Sequence, residues 1–166
     1  MRHFLILTLL SCALLSGCGF EPMYQSAGQY DSGVAQDFKN VSIPAIPNRE
    51  GQILRNELID RLHGGSEVIN ARYRLQISRI GEARRNFDIT ETSDTTRTQL
   101  RLTSEMRLID TESNKIALTR RLESFASYNI LESQFTTRVS RDYARENALR
   151  DMAGQIERQL ALYLRQ

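Results

Sequence analysis

The chain has no tryptophan, three prolines, two cysteines and two histidines among its 166 residues. Zinc and related metal sites draw on histidine and thiolate at short recurring spacings. Here those residues are His3, Cys12, Cys18 and His63, and no such spacing occurs. Nucleophilic catalysis needs a hydroxyl or thiol held beside a base, yet beyond the first few residues only His63 offers an imidazole. No glycine-rich phosphate loop and no serine-centred elbow is present. No catalytic or metal-ligating residue is therefore expected, and the chain reads as a binding or assembly protein. Excess charge of one sign is missing too: 22 basic residues face 20 acidic ones. That balance offers little counterion-release drive, so nucleic acid is not an expected partner. Lysine is nearly absent, with only Lys39 and Lys115 among the basic residues. Arginine favours planar, bidentate contact with carboxylates and phosphates, although a GC-rich gene gives the same bias.

The longest apolar run, Phe4 to Leu15, follows Met1-Arg2-His3 and is too short for the roughly 20 residues that a spanning helix needs. It reads instead as a secretory signal over residues 1–17. Leu15-Ser16-Gly17-Cys18 resembles the lipobox of bacterial lipoproteins, in which small residues admit a peptidase and the cysteine thiol accepts a diacylglycerol. The resemblance implies lipid attachment at Cys18 through three acyl chains. At about 0.8 kcal/mol per buried CH₂, such an anchor is effectively permanent. Gly19, where inner-membrane lipoproteins carry Asp, implies the outer membrane, facing the periplasm. With Cys12 removed and Cys18 acylated, the mature chain would hold no disulfide.

After the signal, residues 18–37 are rich in Gly, Ser, Gln and Ala and read as a lipidated N-terminus with a flexible tether. Residues 38–166 read as a single domain, of a size that can bury its own core. Asn40 to Ile43 suggest a short strand ended by Pro44 and Pro47. Ile53, Leu54, Leu58, Ile59 and Leu62 form one helical face ahead of Gly64-Gly65, which suit a C-terminal stop. Strict alternation from Ala71 to Ile77 predicts a half-buried strand, with Phe87 and Ile89 as its continuation or a separate piece and Thr92-Ser93-Asp94 as a turn. Thr98, Leu100, Leu102, Met106 and Leu108 mark a long strand. Asp110 to Asn114 form a hairpin turn, and Ile116, Leu118 and Leu122 a returning strand. From about Ser133 a helix follows, with Ala144, Ala148, Met152, Ile156, Leu160 and Leu164 stacked at intervals of four. The expected fold is an α+β two-layer sandwich: a mostly antiparallel sheet of about four strands covered by two helices, in the order β-α-β-β-β-α.

Arg72, Arg74, Arg97, Arg101 and Arg107 have the parity opposite to the apolar residues of their strands, so they should project from the uncovered face of the sheet. Such a face is either a solvated surface that resists edge aggregation or a cationic surface whose guanidinium forks engage the phosphates of an anionic glycolipid. His63, at the end of the first helix, is expected to meet the helix C-terminus or water.

The residues from the lipidation site onward, Cys18-Gly19-Phe20-Glu21-Pro22-Met23-Tyr24, resemble the Cys-Gly-Phe-x-Pro-Leu-Tyr opening of the LptE lipopolysaccharide-assembly lipoproteins, with Met23 in place of Leu. That resemblance implies a non-enzymatic outer-membrane lipoprotein that sits inside the β-barrel protein LptD, helps it assemble, and assists delivery of lipopolysaccharide to the cell surface. It implies no cofactor beyond the covalent lipid at Cys18. Basic residues on strands or at a hairpin tip would meet lipopolysaccharide, and the matching positions are Arg72, Arg74, Arg97, Arg101 and Lys115. Two other classes fit the same residues: an auxiliary lipoprotein of an ABC-type lipid-transport system, and a periplasmic inhibitor or structural lipoprotein.

Overall fold

A computed structural model of the chain describes residues 36–87, 96–131 and 133–165. The signal segment, Cys18, Ile89 and the Thr92-Ser93-Asp94 turn lie outside the described residues. The elements are β1 (Val41–Ser42), α1 (Asn48–His63), β2 (Tyr73–Ile77), β3 (Gly81–Phe87), β4 (Thr96–Asp110), β5 (Lys115–Ile130) and α2 (Gln134–Leu164).

Helix α1 starts where Pro47 ends the extended chain after β1. Asn48 takes a positive φ of 68°. Its Oδ1 accepts from the Gly51 N–H at 2.9 Å, while its Nδ2 donates to the Ile80 carbonyl at 3.3 Å. One side chain thus caps the helix and ties it to the sheet. The helix stops as Gly64-Gly65 predict: Gly64 is left-handed at φ 61°, and the two glycine N–H groups donate to Asp60 and Ile59. His63 places Nε2 3.2 Å from the Phe38 carbonyl, a contact not visible in the sequence, and pins the turn at residues 36–40.

Strands β2 and β3 lie end to end along one edge of β4. β2 pairs antiparallel with Met106 to Asp110, and β3 with Arg97 to Thr103. At their junction the Ser78 N–H still donates to Glu105, but the Ser78 and Ser104 hydroxyls lie 3.1 Å apart and knit the break. The expected four strands thus become five because one strand is interrupted. β1 runs parallel to β2, which makes β1-α1-β2 a crossover unit, and β5 pairs along the other edge of β4. In the hairpin turn, Asp110 Oδ1 accepts from the backbone N–H groups of Glu112 and Ser113, and Asn114 takes φ 53°.

Even-numbered residues of β4, from Leu100 to Leu108, bury against both helices. Leu54, Leu58 and Leu62 of α1 and Ala148, Leu149, Met152, Ile156 and Leu160 of α2 close the core over them. Ser133 caps α2 through a bond accepted from the Thr136 N–H. The helix runs 31 residues, but none before Ala144 is buried.

Candidate binding surface

Pairing with β4 decides which side chains share the uncovered face. Arg97 lies between Phe87 of β3 and Asn129 of β5, and Arg101 between Ala83 and Phe125. Arg107 lies between Gln76 and Thr119, and Arg74 opposite Ile109. All four arginines are exposed, as parity requires.

The predicted residues do not gather at one place. Arg72 and Arg74 line an open cleft of about 690 Å³ beside β1, together with Ser42, Pro44 and Ile69. Arg72 lies over the Tyr73 ring at 5.3 Å and reaches Asp110 at 3.6 Å. Hydrogen bonds from the Ser113 backbone, ahead of burial, hold the Asp110 carboxyl below the ordinary carboxylate range. Lys115, paired with Asp110 in the register, belongs to this same hairpin end. Arg107 is engaged by Glu105 at 2.7 Å and adds no free charge.

Arg97 and Arg101 occupy the opposite end of β4. Arg74 is paired with Ile109, eight residues from Arg101 along that strand, or about 27 Å at 3.4 Å per residue. Around Arg101 an open cleft of about 400 Å³ is lined by Arg85, Gln99, Glu123 and Phe125 among others. Arg101 forms an ion pair with Glu123, and its guanidinium lies 6.0 Å from the Phe125 ring centre. Arg85 lies over Phe87 at 5.3 Å. Among the described residues Arg97 has no acidic partner. The distal end therefore combines three guanidiniums with two exposed phenylalanines and one carboxylate. Such a surface offers forked donors for phosphate and flat apolar area beside them.

Sequence reasoning missed Arg85 and Phe125 as members of this surface. Their signal was parity alone: Ala83, Arg85 and Phe87 alternate in step with Arg97 and Arg101 once β3 is placed beside β4.

A second charged cluster holds the layers together. Arg145 of α2 reaches Glu82 of β3 at 2.7 Å, Asp142 at 2.8 Å and Glu50 of α1 at 3.9 Å. Burial pushes the Glu82 carboxyl up, but the hydrogen bond and charge of Arg145, aided by Arg84, outweigh it and leave the group below its ordinary value. N-terminal to Arg145, Phe135, Val139 and Tyr143 form an exposed apolar stripe at intervals of four. Among the described residues no group of three or more His, Cys, Asp or Glu could hold a metal ion, and no helix is long and apolar enough to cross a membrane.

A family model described as LptE, lipopolysaccharide-assembly, matches residues 38–161. Among solved structures the chain is similar to a candidate lipoprotein of Caulobacter crescentus, at 22% identity over 81% of this chain and 97% of that one, TM-score 0.65. It is similar to a minor lipoprotein of Acinetobacter baumannii, at 26% identity over 75% of this chain and 92% of that one, TM-score 0.61. Rare lipoprotein B of Shewanella oneidensis shares the fold at 15% identity over 73% and 92% of the two chains, TM-score 0.55. No curated protein matches.

Proposed function

The chain belongs to the LptE family of lipopolysaccharide-assembly lipoproteins, and from that premise we propose that it binds and plugs the outer-membrane β-barrel LptD, assists its assembly, and helps deliver lipopolysaccharide to the cell surface. Lipid on Cys18 anchors it at the periplasmic side of the outer membrane. It works by binding, with no cofactor and no catalytic step. Family membership favours this reading over an ABC-system auxiliary lipoprotein or a periplasmic inhibitor. An arginine-rich exterior also suits the polar lumen of a large barrel.

One observation carries the glycolipid contact: the distal surface where Arg85, Arg97 and Arg101 alternate with Phe87 and Phe125. Phosphates of the glycolipid take the forks of Arg97 and Arg101, and the rings receive apolar parts of the same molecule. Arg101 must trade its carboxylate partner for phosphate, so Glu123 sets the threshold of binding. Arg72, Arg74 and Lys115 stand at the far end of the sheet, too distant to hold the same headgroup.

The test is binding of purified lipopolysaccharide to the R97E/R101E double variant. Both residues are exposed and outside the core, so the fold should persist. Charge-assisted hydrogen bonds are each worth about 1.5–3 kcal/mol, so affinity should fall at least about tenfold. Undiminished binding by the folded variant would move the contact to the Arg72 and Arg74 cleft.

A further inference from the structure

The outer edge of β5 has two halves that differ in how they are covered. In an antiparallel pair alternate residues turn both backbone groups away from the partner strand. The Thr119 carbonyl accepts from Arg120 at 2.9 Å, and the Glu123 carbonyl accepts from Gln155 of α2 at 2.9 Å. Those bonds identify the odd-numbered residues of this stretch as the outward-facing ones. Beyond Glu123 the outward groups belong to Phe125, Ser127 and Asn129, and among the described residues none has a partner. Ser124 to Ile130 contains no charge, proline or glycine. Sheet edges are ordinarily defended by such residues. The free edge of β3 is so defended, with Glu82, Arg84 and Arg85 among its seven residues.

Where the covered half ends, a cleft of about 120 Å³ straddles the same edge, lined by Arg120, Arg121, Leu122, Gln155, Arg158 and Gln159. Arg120 is braced by Gln159 at 3.1 Å. All three arginines are exposed, and among the described residues no carboxylate pairs with any of them. An oxyanion entering the cleft therefore meets the uncompensated positive charge of the three arginines that line it.

We propose that the β5 edge receives an extended acidic segment of the barrel partner. Its backbone pairs with Phe125, Ser127 and Asn129, and one of its carboxylates enters the Arg120, Arg121 and Arg158 cleft. A polypeptide is the occupant because it satisfies main-chain donors and acceptors and supplies the carboxylate from one chain, the combination that strand addition uses. This rests on the barrel reading and adds where on the molecule the partner docks. It places that contact on the strand edge next to the Arg97 and Arg101 surface, since Asn129 and Phe125 are the register partners of those arginines.

The experiment uses the full lipidated chain co-expressed with its barrel, with p-benzoylphenylalanine at Ser127 for photo-crosslinking and two variants for co-purification. Ser127→Pro removes an outward N–H that the β4 ladder does not use and puts a ring in the path of an added strand. The R120Q/R121Q/R158Q variant leaves the backbone untouched and keeps the test valid should the proline misfold. The expected result is a crosslink from position 127 to the barrel. Each variant should recover about tenfold less barrel, with lipopolysaccharide binding by the arginine variant unchanged. If wild type recovers barrel while both variants recover as much and position 127 gives no crosslink, this inference alone is overturned. If wild type recovers no barrel, it falls together with the proposed function. A crosslink joining two copies of the chain overturns the assignment of the partner.

Discussion

At Gly51 the backbone of α1 comes so close to the chain that leads into it that a Cβ would stand 2.7 Å from Ile46 Cγ2 and 2.8 Å from the Ile46 carbonyl oxygen. Because one of those atoms is backbone, the neighbour cannot rotate away. Gly51→Ala should destabilise the domain by about 1–3 kcal/mol, despite alanine's better helix propensity. Urea unfolding checks this, and a gain in stability would show that the helix can shift outward. Glu123 has the opposite kind of role, since its pairing with Arg101 competes with any phosphate. Exposed pairs contribute at most about 1 kcal/mol, so Glu123→Gln should leave stability nearly unchanged and tighten lipopolysaccharide binding by up to about fivefold. A binding titration decides it, and weakened binding would mean that Glu123 positions Arg101 for its ligand. Parity in the sequence was enough to place Arg74, Arg97, Arg101 and Arg107 on one face. It carried no information on their separation along it, which depends on where β2 and β3 meet β4.

Elements with a strong period were legible in the sequence. The alternation of Leu100, Leu102, Met106 and Leu108 and the four-residue spacing from Ala144 to Leu160 each report a single buried face. Ser133 and Gly64 mark helix ends for the same physical reasons that made them visible. The interruption between β2 and β3 was hidden, because Ser78 to Ile80 holds no glycine or proline and the break is stabilised by hydroxyls of Ser78 and Ser104, far apart in sequence. β3 was hard to read because every residue in it is exposed, leaving no burial period to detect. The attachment of α2 through Arg145 was also illegible, since Glu50 and Glu82 come from other elements. That attachment gives a pH dependence. A carboxyl whose folded value is lowered contributes stability above its unfolded pKa and loses it as pH falls through the folded one. Glu82→Gln should therefore lower Tm near neutral pH, with the gap from wild type closing below the ordinary carboxylate range. A gap independent of pH would mean that Glu82 contributes through packing, not charge.

As a whole the molecule presents one apolar layer turned inward and an arginine-bearing sheet turned outward. The outward face has a phosphate-type surface at one end, a separate cleft at the hairpin end, and a bare strand edge along its side. This distribution suits a domain enclosed by a partner and handling an anionic amphiphile, because it sets an anion-binding surface beside an edge open to strand pairing. The most direct measurement is a tagged pull-down from detergent-solubilised outer membrane, with mass identification of whatever is recovered in stoichiometric amount. The account predicts a single large β-barrel protein at one copy per copy of the lipoprotein. Recovery of inner-membrane transporter subunits, or of no stoichiometric partner, would contradict it.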